Sequence, residues 1–329
     1  MRNLVLSKAE FDKEIEVVRN ERRWRTDDKP HGRVEEALMA TAFQSHPYHW
    51  PVIGWMDDLQ HMTVNDARAW YERWYEPNNA VLVVAGDVKP AEVFALAKKY
   101  FGPLKPHALP DRRPQEEAPQ LGVRRVVVKA PAQLPYLVMA WKAPVLRHPS
   151  ADKDPYALEV LSGVLSANAA SRLPTALVRT SQIAVDVDSG YDSVQRGPGL
   201  FEIDATPSEG KTVAEVETAI RTELEKIKRD GITEQELQRV KAQVIAAQVY
   251  QRDSVFYQAM QIGQMETSGL SYRDIDLIIE KLKQVTAAEV QAVANKYLID
   301  DTLTVASLDP QPLENKKPAG PPPGLHHAH

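Results

Sequence analysis

Residues 7–26 read S-K-A-E-F-D-K-E-I-E-V-V-R-N-E-R-R-W-R-T. Ser7 followed by Glu10 is a capping-box pattern, and Phe11, Ile15 and Val18 then fall on one helical stripe, so the stretch predicts a packed helix. Glu14 and Glu21 stand seven residues apart, nearly two full turns. That spacing puts both carboxylates on one face with Val17 and Trp24, at the margin of the apolar stripe. Glutamates in such places are ordinarily solvated or paired with neighbours, here Arg22 and Arg25.

The chain has 329 residues, 43% hydrophobic and 26% charged, enough for about two globular domains of ordinary composition. A net charge of -5 with both signs interspersed, and no interleaving of basic and aromatic residues, argues against a nucleic-acid surface. There is no cysteine, which excludes disulfides, thiolate metal sites and cysteine nucleophiles and suits either cytoplasm or periplasm. No apolar run approaches the roughly 20 residues that span a bilayer. The N-terminus reads as an amphipathic helix, not a signal peptide; a signal peptide upstream would make the protein periplasmic, and otherwise it is expected in the cytoplasm.

Further along, 33–43 predicts a helix with Val34, Leu38 and Ala42 on one face, and His46-Pro47-Tyr48-His49-Trp50-Pro51 a rigid aromatic loop. His46 and His49 could bind metal, but a packed loop anchor is the favoured reading. Thr63 and Asp66 cap another helix, which leads through Pro77-Asn78-Asn79 into a predicted strand over 80–85 and a helix over 91–100. Residues 102–121 hold five prolines without hydrophobic periodicity and read as a linker. Beyond it, strands are expected over 124–129, 134–141, 183–187, 199–205 and 302–306, and helices over 156–165 and 172–179. Three more helices begin at the capping pairs Thr212/Glu215, Thr233/Glu236 and Thr286/Glu289.

The unit that starts at Thr63 repeats at Thr286, an offset of 223 residues: capped helix, closing aromatic (Trp74, Tyr297), polar turn, strand. A repeat this long implies a duplicated α+β lobe, not a solenoid. The expected organisation is an incomplete first lobe over 1–101, the linker 102–121, a complete second lobe over 122–308, and a disordered proline- and histidine-rich tail over 309–329.

F-x-x-E-x-x-x-V-x-x-E-R from Phe11, H-P-Y at His46, and T-V-N-D-A-R-A-W-Y-E-R-W-Y-E-P-N-N-A-V-L-V-V-A-G-D-V over 63–88 together resemble the pitrilysin/insulinase (M16) zinc peptidases, the inverzincins. The resemblance continues through Ser171-Arg172-Leu173 and Leu177-Val178-Arg179 to Thr286 and covers nearly all of the chain before the tail. It implies two α+β lobes, each a mixed or antiparallel sheet packed with helices. It further implies a zinc endopeptidase in which H-x-x-E-H supplies two histidine ligands and a general base, and a later glutamate completes the site. Glu21 matches that distal metal ligand, and Glu14 an acidic position behind it. Arg179 matches the family's substrate-binding arginine, although an end-of-helix charge facing the carbonyls explains it equally well. Its companion tyrosine is replaced by Val185 or Asp186, with Tyr191 a weaker candidate.

The sequence departs from the family in one respect: none of its histidines (His31, His46, His49, His61, His107, His148, His326, His327, His329) stands in an H-x-x-E-H. Only twenty residues precede Glu21, so the chain reads as a member that begins part-way into its first lobe. Zinc is then expected in the intact enzyme and not in this chain alone, since one carboxylate falls short of the three protein ligands a catalytic zinc needs. The expected partners are a peptide substrate and either other subunits or the missing N-terminal segment. The alternative is a non-catalytic subunit or scaffold that grips extended peptide at a sheet edge. The His-His-Ala-His end is expected to be an inert tail.

Overall fold

A computed structural model describes residues 3–313. Five helices come first: α1 (Lys8–Arg22), α2 (Pro30–Ala42), α3 (Met56–His61), α4 (Val64–Trp74) and α5 (Pro90–Phe101). After them run the strands β1 (Arg124–Pro131), β2 (Tyr136–Ala143), β3 (Ala184–Tyr191), β4 (Gly199–Pro207) and β5 (Leu303–Gln311), which form one sheet in the order β1-β5-β2-β4-β3. β1 and β5 are parallel and every other pairing is antiparallel, so the chain has the mixed α+β fold expected of it. β2 is apolar at successive positions and buried along almost its whole length, as a central strand covered on both faces requires.

Leu137, Met139, Trp141, Phe201, Ile203 and Val305 point to one face of the sheet, against α6 (Asp154–Ser166), α7 (Val213–Asp230) and α11 (Ala287–Tyr297). Outside these lie α8 (Glu234–Gln251), α9 (Val255–Ser268) and α10 (Ile275–Gln284). The opposite face meets α2: Val34, Leu38, Ala42 and the following Phe43 pack on Tyr136, Val138, Ala140, Leu200 and Leu308. The helix predicted from the 33–43 stripe is thus the cover of one face of this sheet. Thr63, Thr212, Thr233 and Thr286 each accept from the N3 backbone while the N3 carboxylate answers the cap's own N–H, so α4, α7, α8 and α11 start where the sequence says.

Two expectations need correction. Residues 80–85 are extended but unpaired. Their repeat partner β5 sits between a parallel and an antiparallel neighbour, whereas no strand lies beside 80–85 among the described residues, and extended backbone without a neighbour forms no ladder. Residues 102–121, expected to be a linker, are held in place. His107 pairs with Glu76 at 2.8 Å, Arg112 donates to Asn79 at 2.9 Å, and Gln120 donates to the Leu303 carbonyl at 2.7 Å, so the segment is strapped down along its length. Finally, β5 continues through Asp309, Pro310 and Gln311, which were expected in the tail. β2 ends its pairing with β5 at Leu308, so among the described residues β5 beyond it has β1 alone beside it, and an edge position tolerates proline. His326, His327 and His329 lie outside the described residues.

Candidate functional site

Arg22 fixes the helix on which the site is built. It is buried, forks onto Glu36 of α2 at 2.7 and 3.0 Å, and donates to the Gly54 carbonyl at 2.8 Å. Glu36, burial and Asp27 act on it together, and the acids win: its pKa is raised. α1 then runs on through a π-helical turn, Arg23–Asp27. With Ile15 and Arg22 turned inward, the adjacent face carries Glu14, Val17, Glu21 and Trp24, as the seven-residue spacing predicts.

Glu21 lines an open cleft of about 850 Å³ together with Glu35, Glu36 and Met39 of α2, Tyr48, and the stretch Trp50 to Ile53. Its carboxylate pairs with Arg25 at 3.0 Å, the i+4 partner that ordinary helix chemistry offers. Glu14 is exposed farther back on the same face. Among the described residues no group of three or more histidine, cysteine or acidic side chains could hold a metal ion. His46 accepts from the Tyr48 N–H at 3.2 Å, and His49 Nδ1 lies 3.0 Å from the His46 carbonyl. The Tyr48 hydroxyl accepts from the Gly197 N–H at 2.9 Å, where a Cβ would collide with His46 and Tyr48 at 2.6 and 2.7 Å. This loop is a packed anchor, and the residues present do not fit a zinc site on their own.

Arg179 closes a second π-helical turn, Pro174–Thr180; it is exposed, with Nη1 3.5 Å from the Ala169 carbonyl. It is not among the residues lining the Glu21 cleft. Val185 and Asp186 are exposed at the start of β3, and the Tyr191 hydroxyl donates to the Pro144 carbonyl.

The sheet brings in acids that reading the sequence passed over. Along β4, Phe201, Ile203 and Ala205 face the helices while Glu202 and Asp204 face the cleft side, with Asp188 paired across from Asp204 on the edge strand. Burial, with Glu35 and Asp204 close by, pushes the Glu202 carboxyl up to about 7. Burial likewise pushes Asp204 up to about 6, against the hydrogen bond from Tyr136. The signal was the alternation F-E-I-D-A, which shows that two faces differ and not which of them stays open. Because the folded Glu202 titrates above its ordinary value, its ionisation costs stability that is absent at low pH and grows as pH rises through about 7. Glu202→Gln is therefore expected to leave stability unchanged near pH 4 and to raise it by about 1–2 kcal/mol at pH 8. Urea unfolding at the two pH values reads this, and equal stabilities at pH 8 would mean a well-solvated carboxylate.

Residues 61–244 match the family model described as the peptidase M16 inactive domain. The chain is 32% identical over 317 residues to the zinc protease PqqE of Helicobacter pylori, covering 94% of this chain and 69% of that protein. It is 26% identical over 274 residues to an uncharacterized zinc protease of Mycobacterium leprae, covering 83% of this chain and 60% of that one. The crystal structure of a protease from Helicobacter pylori superposes with a TM-score of 0.87 at 31% identity, covering 93% of this chain and 74% of that structure. The chain belongs to the peptidase M16 family, and it spans about two thirds of the length of these relatives. Among the described residues no helix is long and apolar enough to cross a membrane.

Proposed function

We propose that this chain supplies the substrate groove and the acidic metal ligand, Glu21, of an M16 zinc endopeptidase. Peptide hydrolysis then requires a segment bearing H-x-x-E-H, from the same gene product or another polypeptide, to close over α1. One observation carries the reading. The face that holds Glu14 and Glu21 also holds Trp24, 65% exposed, and farther along the chain Leu82 and Phe94 are left 61% and 72% exposed. Apolar surface of this extent awaits cover. The internal repeat says what kind: β5 lies between a parallel and an antiparallel strand, so 80–85 calls for one of each. Arg179 would then meet substrate from the second lobe.

A second reading, a non-catalytic subunit that holds extended peptide, is favoured by the match to the family's inactive domain and by the edge of β3, which among the described residues pairs with β4 alone. Light scattering and hydrogen exchange separate the two. Mixed with an M16 half-lobe bearing H-x-x-E-H, the chain is expected to form a complex in which amides of 80–85 become protected. A compact monomer, already protected at 80–85 and indifferent to the half-lobe, would favour the scaffold.

A further inference from the structure

A second cavity, of about 330 Å³, adjoins the Glu21 cleft; Met39, Tyr48 and Gln195 line both. Its walls are Met39, Phe43, Tyr48 and Leu200, and Glu202 lies among them. In the sheet, Glu202 stands between Ala140 of β2 and Gly190 of β3. Both neighbours are small, and a Cβ added to Gly190 would meet nothing within 4 Å, so the carboxylate is left uncovered from the side of the edge strand. No donor among the described residues hydrogen-bonds Glu202, and the charges that reach it, Glu35 and Asp204, share its sign. Lys142, across the ladder from Leu200, is committed to Glu117 at 2.7 Å. The cavity's other acid, Asp192, accepts from the Val194 N–H at 2.8 Å.

A half-buried carboxylate without donor or counter-charge is costly, and a cation relieves that cost. Aromatic and thioether walls suit the aliphatic stem of a long basic side chain, whose charged head then reaches the carboxylate. We propose that this cavity is a subsite for an arginine or lysine side chain of a bound peptide, with Glu202 as the specificity-determining residue. The inference rests on the peptide-groove reading above and adds to it the class of substrate.

The test uses the whole chain labelled with 13C at its methionine methyls, the Met39 signal being assigned through Met39→Leu. n-Butylguanidinium is titrated against its neutral near-isostere n-butylurea. The cation is expected to shift the Met39 methyl saturably and to bind at least about tenfold more tightly than the urea, a preference that Glu202→Gln removes. Equal affinities, no shift, or a preference that survives Glu202→Gln would overturn the subsite. A pair of extended peptides, one with arginine and one with citrulline at the same position, separates this outcome from the groove reading. Peptides that bind without preferring arginine sink the subsite and leave the groove. If the small cation binds while neither peptide does, the subsite stands and the groove falls.

Discussion

Glu117→Ala is expected to destabilise the chain by about 3–5 kcal/mol, the cost of breaking a buried ion pair from one side. The Glu117 side chain is 7% exposed. It accepts from three successive backbone N–H groups, those of Gln44, Ser45 and His46 at 2.9, 3.0 and 2.9 Å, and from Lys142 Nζ at 2.7 Å. One carboxylate thus ties the strap 102–121 to the end of α2 and to β2. Alanine would strand three N–H groups and a half-buried ammonium at once. Burial alone would push Glu117 up, but Lys142 and the three N–H groups hold it down to about 2. Its stabilisation is therefore complete above the ordinary carboxylate value of 4.5 and lost as pH falls from there toward about 2. Urea unfolding across that window should show a steep acid loss in the wild type and a flatter one in Glu117→Ala. Parallel losses with a small offset would place the stability of this junction elsewhere.

Much of this fold was legible because its signals are local. The capping pairs at Thr63, Thr212, Thr233 and Thr286 start their helices through contacts made within three residues, so the sequence alone contains them. The α1 face that carries Glu14 and Glu21 follows from helical periodicity in the same way. What depends on distant neighbours was not legible. The run A-V-L-V-V-A at 80–85 has every mark of a buried strand, yet a strand is defined by its partners, and none stands beside it among the described residues. That residues 102–121 are strapped down was not legible either, because Glu117 carries no local sign that three amides and Lys142 will converge on it. The π-helical turns at 23–27 and 174–180 left no pattern either. After the second, Gln182 takes φ 52, a left-handed conformation usually signalled by glycine.

The other large effect expected is on metal and activity. By ligand count, one carboxylate paired with Arg25 holds zinc weakly, so the purified chain should retain no stoichiometric zinc and hydrolyse no peptide. Supplying two imidazoles from outside changes this, because ligands need only be brought together in space. Zinc binding that couples to docking would also stabilise the complex by mass action. Glu14→Gln should weaken the assembled site less than Glu21→Gln, since it stands a further two turns back on the helix. The direct measurement is zinc content after gel filtration of the chain alone, of the chain with an M16 half-lobe bearing H-x-x-E-H, and of the same pair with Glu21→Gln. The prediction is no stoichiometric zinc for the chain, about one zinc per complex for the pair, and loss of that zinc with Glu21→Gln. One tightly held zinc on the chain alone, or a complex whose zinc is unaffected by Glu21→Gln, would contradict it.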